Sequence, residues 1–265
     1  MSARARLEAV VFDAGGTLVR LDFEWMSAWL AERGHAVDAA TLRRAEVEGR
    51  RRYDASAAFD AHRADDVADP PLGRAGDTRA YFGGTLAAAG VGPALVEQAL
   101  AAFLARQERE GIWTRAAEGA RETIDALPAL GLRAACVSNS DGRAEWHLEH
   151  CGVRAGLEFV VDSKLVGVEK PDARIFAIAL ERLGVPAARA LYVGDIRCVD
   201  EVGSRAAGMH FVLIDPLGDY GAPGGPAIAA IGALPAWISE HFDVSGALAA
   251  AQPDHTHPSH PARRP

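Results

Sequence analysis

"AVVFDAGGTLV", residues 9–19, places four apolar residues before an aspartate and closes on a pair of glycines. A short apolar run bounded by glycine reads as a buried strand, with Asp13 at its C-terminal end. The same signature returns in "LRAACVSN" (132–139), "LEFVVD" (157–162), "ALYVGD" (190–195) and "HFVLID" (210–215). Between these runs, "EGARETIDALPAL", "GRAEWHLEHCG", "PDARIFAIALERLG" and "VDEVGSRAAG" read as helices, several ending at glycine. Pro171 suits a helix's first turn, where its missing N–H costs little. Strand alternating with helix predicts an α/β fold, with a mostly parallel sheet covered by helices on both faces.

Residues 22–112 break that rhythm. "DFEWMSAWLAERG", "AATLRRAEVEGRRRYDASAAFDAH", "DTRAYFGGTLAAAG" and "PALVEQALAAFLARQER" read as helices with no convincing strand among them. "DDVADPPLGRAGD" (65–77) reads as a loop. An all-helical insert placed after the first strand lies over the C-terminal edge of the sheet, where ligands bind in open α/β folds. The segment 246–265, rich in Pro and His, reads as a disordered tail.

The chain has 265 residues and a net charge of -8, which argues against nucleic acid as a partner. No apolar stretch approaches the roughly 20 residues needed to span a bilayer. The N-terminus lacks a signal-peptide cleavage pattern, so the expectation is a cytoplasmic protein with no membrane partner. Cys136, Cys151 and Cys198 are odd in number and lack CxxC spacing, against a disulfide framework or a zinc site. Lysine is limited to Lys164 and Lys170.

Three of the strands end alike: "AVVF" on Asp13, "AACV" on Ser138 and "LYVG" on Asp195. In a parallel sheet these positions project from one edge, and Lys170, just before a helix, is within reach of it. Buried charges at strand ends cost several kcal/mol unless paired, so function explains their convergence better than stability does.

"FDAGGTL", "VSNSDG", "KPDARIF" and "GDIRCVDEVGSRAAGM", in this order, resemble the four motifs of the haloacid dehalogenase (HAD) superfamily. The helical insert resembles its C1-type cap. The resemblance implies a Rossmann-like catalytic core at 1–21 and 113–245 and a helical cap at 22–112. It also implies a Mg²⁺-dependent hydrolase, a phosphatase of small phosphorylated metabolites. Asp13 would be the nucleophile that forms an aspartyl-phosphate. Ser138 and Lys170 would hold the transferring phosphoryl group, with Asn139 as a further contact in the phosphate pocket. Asp13, Asp195 and the backbone carbonyl of Gly15 would bind Mg²⁺. Asp200 is either a partner of the metal ligands or a helix N-terminal charge. Thr17 is expected to buttress the turn.

Phosphatases resembling this chain carry an acid two residues after the nucleophile, and here that position is Gly15. A backbone carbonyl survives the substitution; the proton donor does not. A substrate with a good leaving group, such as an acyl phosphate or a phenolic ester, would need little protonation. Asp141, Asp22 or Glu24 are candidate replacement acids. The alternatives are a weakly catalytic protein that binds phosphate ligands or partners, and a metal-independent 2-haloacid dehalogenase-like enzyme. The latter would carry a tyrosine in the first motif and lack Gly194–Asp195. Phosphonate cleavage by a cap lysine is disfavoured, because residues 22–112 contain none. In the insert, the run Arg50, Arg51, Arg52 and Tyr53 offers substrate contacts but reads first as a solvated face. Trp25 and Trp29, four apart, read as core packing.

Overall fold

The computed structural model describes residues 4–63, 76–218, 220 and 225–244. The loop expected at 65–77 falls largely outside the described residues, and the tail expected at 246–265 wholly so. In chain order the elements are β1 (Ala9–Phe12), β2 (Val19–Arg20), α1 (Phe23–Ala31), α2 (Ala39–Arg63), α3 (Thr78–Ala88) and α4 (Pro93–Arg109). They continue with β3 (Arg115–Ala116), α5 (Ala120–Ala126), β4 (Arg133–Ser138), α6 (Ala144–His150), β5 (Val160–Asp162), α7 (Ser163–Val166) and α8 (Ala173–Leu183). The last are β6 (Ala190–Gly194), α9 (Val202–Ala206), β7 (His210–Ile214), β8 (Ala227–Ile228) and α10 (Leu234–His241).

Six strands form one sheet in the order β5-β4-β1-β6-β7-β8, and every neighbouring pair is parallel. Side chains alternate across it, as the strand period requires. Val10 and Phe12 pack with Ile124 of α5 and Ile238 of α10 on one face. Ala9 and Val11 pack with Ile175 and Phe176 of α8 on the other. The resulting helix–sheet–helix layering is the Rossmann-like α/β architecture.

The helices from α1 to α4 bury a third cluster around Leu21, Phe23, Met26, Leu30, Leu42, Phe82 and Phe103. Trp25 and Trp29 pack at its margin, each ring within 6.2 Å or less of Phe103's. Where this helical stretch leaves and rejoins the sheet, β2 and β3 pair antiparallel. Asp22 caps α1 there, accepting from the Trp25 N–H at 3.1 Å, and its own N–H donates to the Ile112 carbonyl at 2.9 Å. Asp22 also pairs with Arg106 at 2.9 Å.

Several elements differ locally from the sequence reading. The strand expected at 157–162 covers only Val160–Asp162. The helix expected from "VDEVGSRAAG" is split into a five-residue π turn, Arg197–Glu201, and α9. Pro171 lies before the helix and not in its first turn, because Asp172 caps α8 by accepting from the Arg174 N–H at 2.9 Å. All three cysteines are free thiols. Among the described residues, no helix is long and apolar enough to cross a membrane.

Candidate active site

Register explains why distant residues meet. Phe12 stands opposite Cys136 on one side and Val193 on the other. Asp13 therefore leaves the sheet beside Ser138 and Asp195, and its N–H still donates to the Val193 carbonyl at 2.9 Å. All three side chains are buried. Lys170 arrives from the segment before α8 and is 2 % exposed. Its ammonium makes three contacts: Asp13 Oδ1 at 2.6 Å, Asp200 Oδ1 at 2.8 Å and the Tyr192 hydroxyl at 3.0 Å. That set uses all three of its protons. Although burial opposes the charge, the Asp13 and Asp200 carboxylates hold the Lys170 pKa well above its usual value.

Asn139 is placed beside Lys170, with both ends of its amide on the lysine backbone. Its Nδ2 donates to the Lys170 carbonyl at 2.9 Å, and its Oδ1 accepts from the Lys170 N–H at 2.7 Å. The amide thus positions Lys170. Asp200 is buried beside both Lys170 and the turn after β6. It binds Lys170 through one oxygen, and through the other accepts from the N–H groups of Asp195 at 3.1 Å and Ile196 at 3.0 Å. Thr17 is buried, and its hydroxyl makes no hydrogen bond.

Asp13, Asp195 and Asp200 each offer a carboxylate oxygen within 4.8 Å of the others. Asp195 Oδ1 is buried without a hydrogen-bond partner. Burial raises the Asp13 pKa to about 6 against the pull of Lys170, with Asp200 adding to the rise. Burial also raises Asp195, although Arg50 opposes it. A crowded, under-neutralised trio of hard oxygen donors with one unsatisfied lone-pair site fits a divalent cation of the magnesium type.

Two features were missed in the sequence reading. Tyr192 sits inside a strand that reads as purely apolar, yet its hydroxyl donates to the Val137 carbonyl at 2.9 Å while accepting from Lys170. A tyrosine in such a run is a signal, because a buried hydroxyl seeks a partner. The other is the burial of Arg50, which sits 3.2 Å from both Glu46 and Asp195. Arg51 and Arg52 do lie on an exposed face, paired with Glu48.

None of the candidate replacement acids is a proton donor in place. Burial works against the Asp141 charge, but Arg143, at 2.6 Å, lowers its pKa to about 2, helped by Gln107. Asp22 is lowered, against its burial, by the Trp25 N–H and by Arg106 and Arg115. Glu24 is lowered by Arg20. Gly15 itself lies under Trp113: a Cβ there would stand 3.4 Å from the indole.

A parallel α/β sheet thus carries a buried Lys–Asp pair and a carboxylate trio at the C-terminal edge of its strands. The family model for haloacid dehalogenase-like hydrolases matches residues 7–208, and the chain belongs to that family. Mouse haloacid dehalogenase-like hydrolase domain-containing protein 3 is 45% identical over 97 residues, 37% of this chain and 39% of the relative. The ribulose-1,5-bisphosphate 5-phosphatase of Halopiger xanaduensis is 34% identical over 98 residues, 37% of this chain and 41% of the relative. The chain thus spans well under half the length of these curated relatives. Among solved structures, an L-2-haloacid dehalogenase aligns with a TM-score of 0.55 at 20% identity, covering 88% of this chain and 99% of that one. At that identity the likeness concerns the fold.

Proposed function

We propose that this hydrolase is a Mg²⁺-dependent phosphatase of small phosphorylated molecules, working through an aspartyl-phosphate at Asp13, with residues 22–112 acting as a cap. The observation that carries this reading is the buried Lys170–Asp13 contact at 2.6 Å beside a trio of carboxylates. A dehalogenase displaces a halide and has no use for a divalent cation, so the trio would be a cost to it that Lys170 and Arg50 offset only in part. A phosphate ester carries the negative charge that such a cation and Lys170 together would neutralise. The phosphatase name of the Halopiger relative favours the same choice.

Asp13, Asp195 and the Gly15 carbonyl would hold the cation, with Asp200 organising them. The bound cation would screen phosphoryl charge. Lys170 orients the Asp13 carboxylate and neutralises an equatorial phosphoryl oxygen, and Ser138 donates a hydrogen bond to another. An Asp13 oxygen attacks phosphorus, the ester P–O bond breaks, and its electron pair leaves with the alcohol oxygen. Water then attacks phosphorus, releasing inorganic phosphate and restoring the carboxylate. The helices from α1 to α4 roof the edge and exclude water while the acyl phosphate forms.

The test is intact-protein mass spectrometry after mixing the chain with acetyl phosphate and Mg²⁺. One added phosphoryl group, absent in Asp13→Asn, is expected. A label that persists in Asp13→Asn, or never forms in the wild type, overturns the reading.

A further inference from the structure

The cavity above Asp13 has a volume of about 320 Å³. Asp13, Ser138 and Lys170 line it, and Tyr53, Tyr81, Phe82, Phe103 and Trp113 give it an aromatic wall, with Gln107, Asp141 and His147 among the polar lining. The rings contact one another: Tyr81 lies 5.2 Å from Phe82 and 6.5 Å from Trp113, and Phe82 lies 5.7 Å from Phe103. We infer that the substrate is a phosphate monoester of an aromatic alcohol, an aryl phosphate whose ring fills this wall. The inference rests on the phosphatase reading above.

Two independent features point the same way. First, the wall offers a second anion no lysine or arginine among the described residues. Among the described residues, Lys170 is the only lysine or arginine lining the cavity. Burial and Arg143 lower the His147 pKa, which disfavours a charged imidazole there. Two polar groups in the wall are already engaged, while both ring nitrogens of His147 lack a hydrogen-bond partner. The Tyr81 hydroxyl donates to Glu46, and the Gln107 amide is shared between Asp141 and the Ile112 N–H, each at 3.0 Å. Asp141 would repel a distal carboxylate or phosphate. Aromatic rings, in contrast, pack edge-to-face with such a wall.

Second, the acid expected two residues after Asp13 is absent at Gly15, and the candidate replacement acids Asp141, Asp22 and Glu24 have lowered pKa values. An aliphatic alkoxide is too basic to leave unaided. A phenolate leaves far more easily, since a phenol ionises near pKa of about 10. In the proposed step the bond from Asp13 to phosphorus forms as the P–O(aryl) bond breaks, with the electron pair on the phenolate oxygen. That oxygen takes its proton from water. After hydrolysis of the acyl phosphate, the sum is aryl phosphate plus water giving phenol plus inorganic phosphate.

The test uses the full chain with Mg²⁺ and three probes: phenyl phosphate, glycerol 3-phosphate and phosphoglycolate. Acetyl phosphate labelling of Asp13 serves as the separate control on the phosphatase reading. With labelling present, phenyl phosphate is expected to exceed both alkyl esters in kcat/KM by at least about 10²-fold, the low end of what a general acid supplies. Binding separates the wall from leaving-group reactivity. By calorimetry on Asp13→Asn, phenyl phosphate should bind about tenfold tighter than phosphoglycolate, a difference of about 1.4 kcal/mol. Leu104 lines the cavity from α4 and is 45% exposed, so Leu104→Arg can add a cation without disturbing the core. It should reduce that binding preference by about tenfold. Phosphoglycolate or glycerol 3-phosphate binding as tightly as phenyl phosphate, or turning over as fast, overturns the aromatic assignment while leaving the phosphatase reading intact. Failure of acetyl phosphate to label Asp13 overturns both.

Discussion

Arg50 Nε lies 3.2 Å from Asp195 Oδ2, joining the second helix of the insert to the end of the sixth strand through a buried ion pair. The guanidinium also donates to the Ile214 carbonyl at 3.3 Å and pairs with Glu46 at 3.2 Å. A fixed positive charge from α2 therefore already faces one of the proposed metal ligands. Arg50 and an incoming cation draw on the same carboxylate. Breaking a buried pair leaves an uncompensated charge, typically costing about 3–5 kcal/mol. Arg50→Gln should therefore lower the thermal midpoint of the metal-free protein. Added Mg²⁺ should recover more of the loss in the variant than it adds to the wild type, because the ion replaces the missing charge. Scanning calorimetry across a Mg²⁺ series reads this directly. Equal Mg²⁺-induced shifts in both proteins would show that Arg50 and the metal do not share Asp195.

Protons compete for the same trio. Burial, helped by Asp200 and opposed by Lys170, pushes the Asp13 carboxyl up to about 6. A ligand must be deprotonated, so Mg²⁺ affinity should fall by up to about tenfold per pH unit below that value. The sign for stability follows from linkage. A raised folded-state pKa gives stability that is fully present below the unfolded value of 3.8 and lost as pH rises through about 6. Without metal, Asp13→Asn should therefore gain stability relative to the wild type between about pH 4 and 6, with a flat difference above. Titration calorimetry at several pH values tests the first expectation and thermal melts the second.

The parallel core was legible because its strands are apolar runs that end on Asp13, Ser138 and Asp195, and a parallel register brings such ends together. Shorter features left little trace. The two-residue strands Val19–Arg20, Arg115–Ala116 and Ala227–Ile228 are too short to carry a periodicity. The π turn at Arg197–Glu201 forms where Asp200 collects the N–H groups of Asp195 and Ile196, a tertiary arrangement with no local pattern. Arg50 was hidden inside a run of three arginines, whose other two members are solvated as that composition suggests. The one local hint was Glu46 four residues earlier, a spacing that pairs charges on a helix. Trp113 could not be paired with Gly15 from sequence, since packing across the base of the insert brings them together.

That indole matters for restoring a proton donor. A Cβ at Gly15 would meet Trp113 at 3.4 Å, an ordinary contact, and Gly15 has no positive φ to strain a side chain. Gly15→Asp should fold, and should raise turnover of glycerol 3-phosphate by about 10²-fold or more, the range of general acid catalysis. Phenyl phosphate should gain much less, because a phenolate needs little protonation. A steady-state comparison of the two esters measures the difference. A uniform gain or loss for both would mean that the substitution acts on something other than leaving-group protonation.

The neighbouring glycine should behave in the opposite way. Gly16 has φ +78°, and a Cβ there would fall 2.0 Å from Asp195 Oδ2. The backbone conformation alone costs an alanine about 1–2 kcal/mol. The clash adds to it, since the obstructing atom belongs to a buried carboxylate already held by Arg50 and cannot retreat without breaking that pair. Gly16→Ala should lose more than about 2 kcal/mol of stability and also bind Mg²⁺ more weakly, because Asp195 is displaced. Chemical denaturation reads the first effect and titration calorimetry the second. A Gly16→Ala protein that kept wild-type Mg²⁺ affinity would mean that Asp195 reaches the cation from a position the present turn does not dictate.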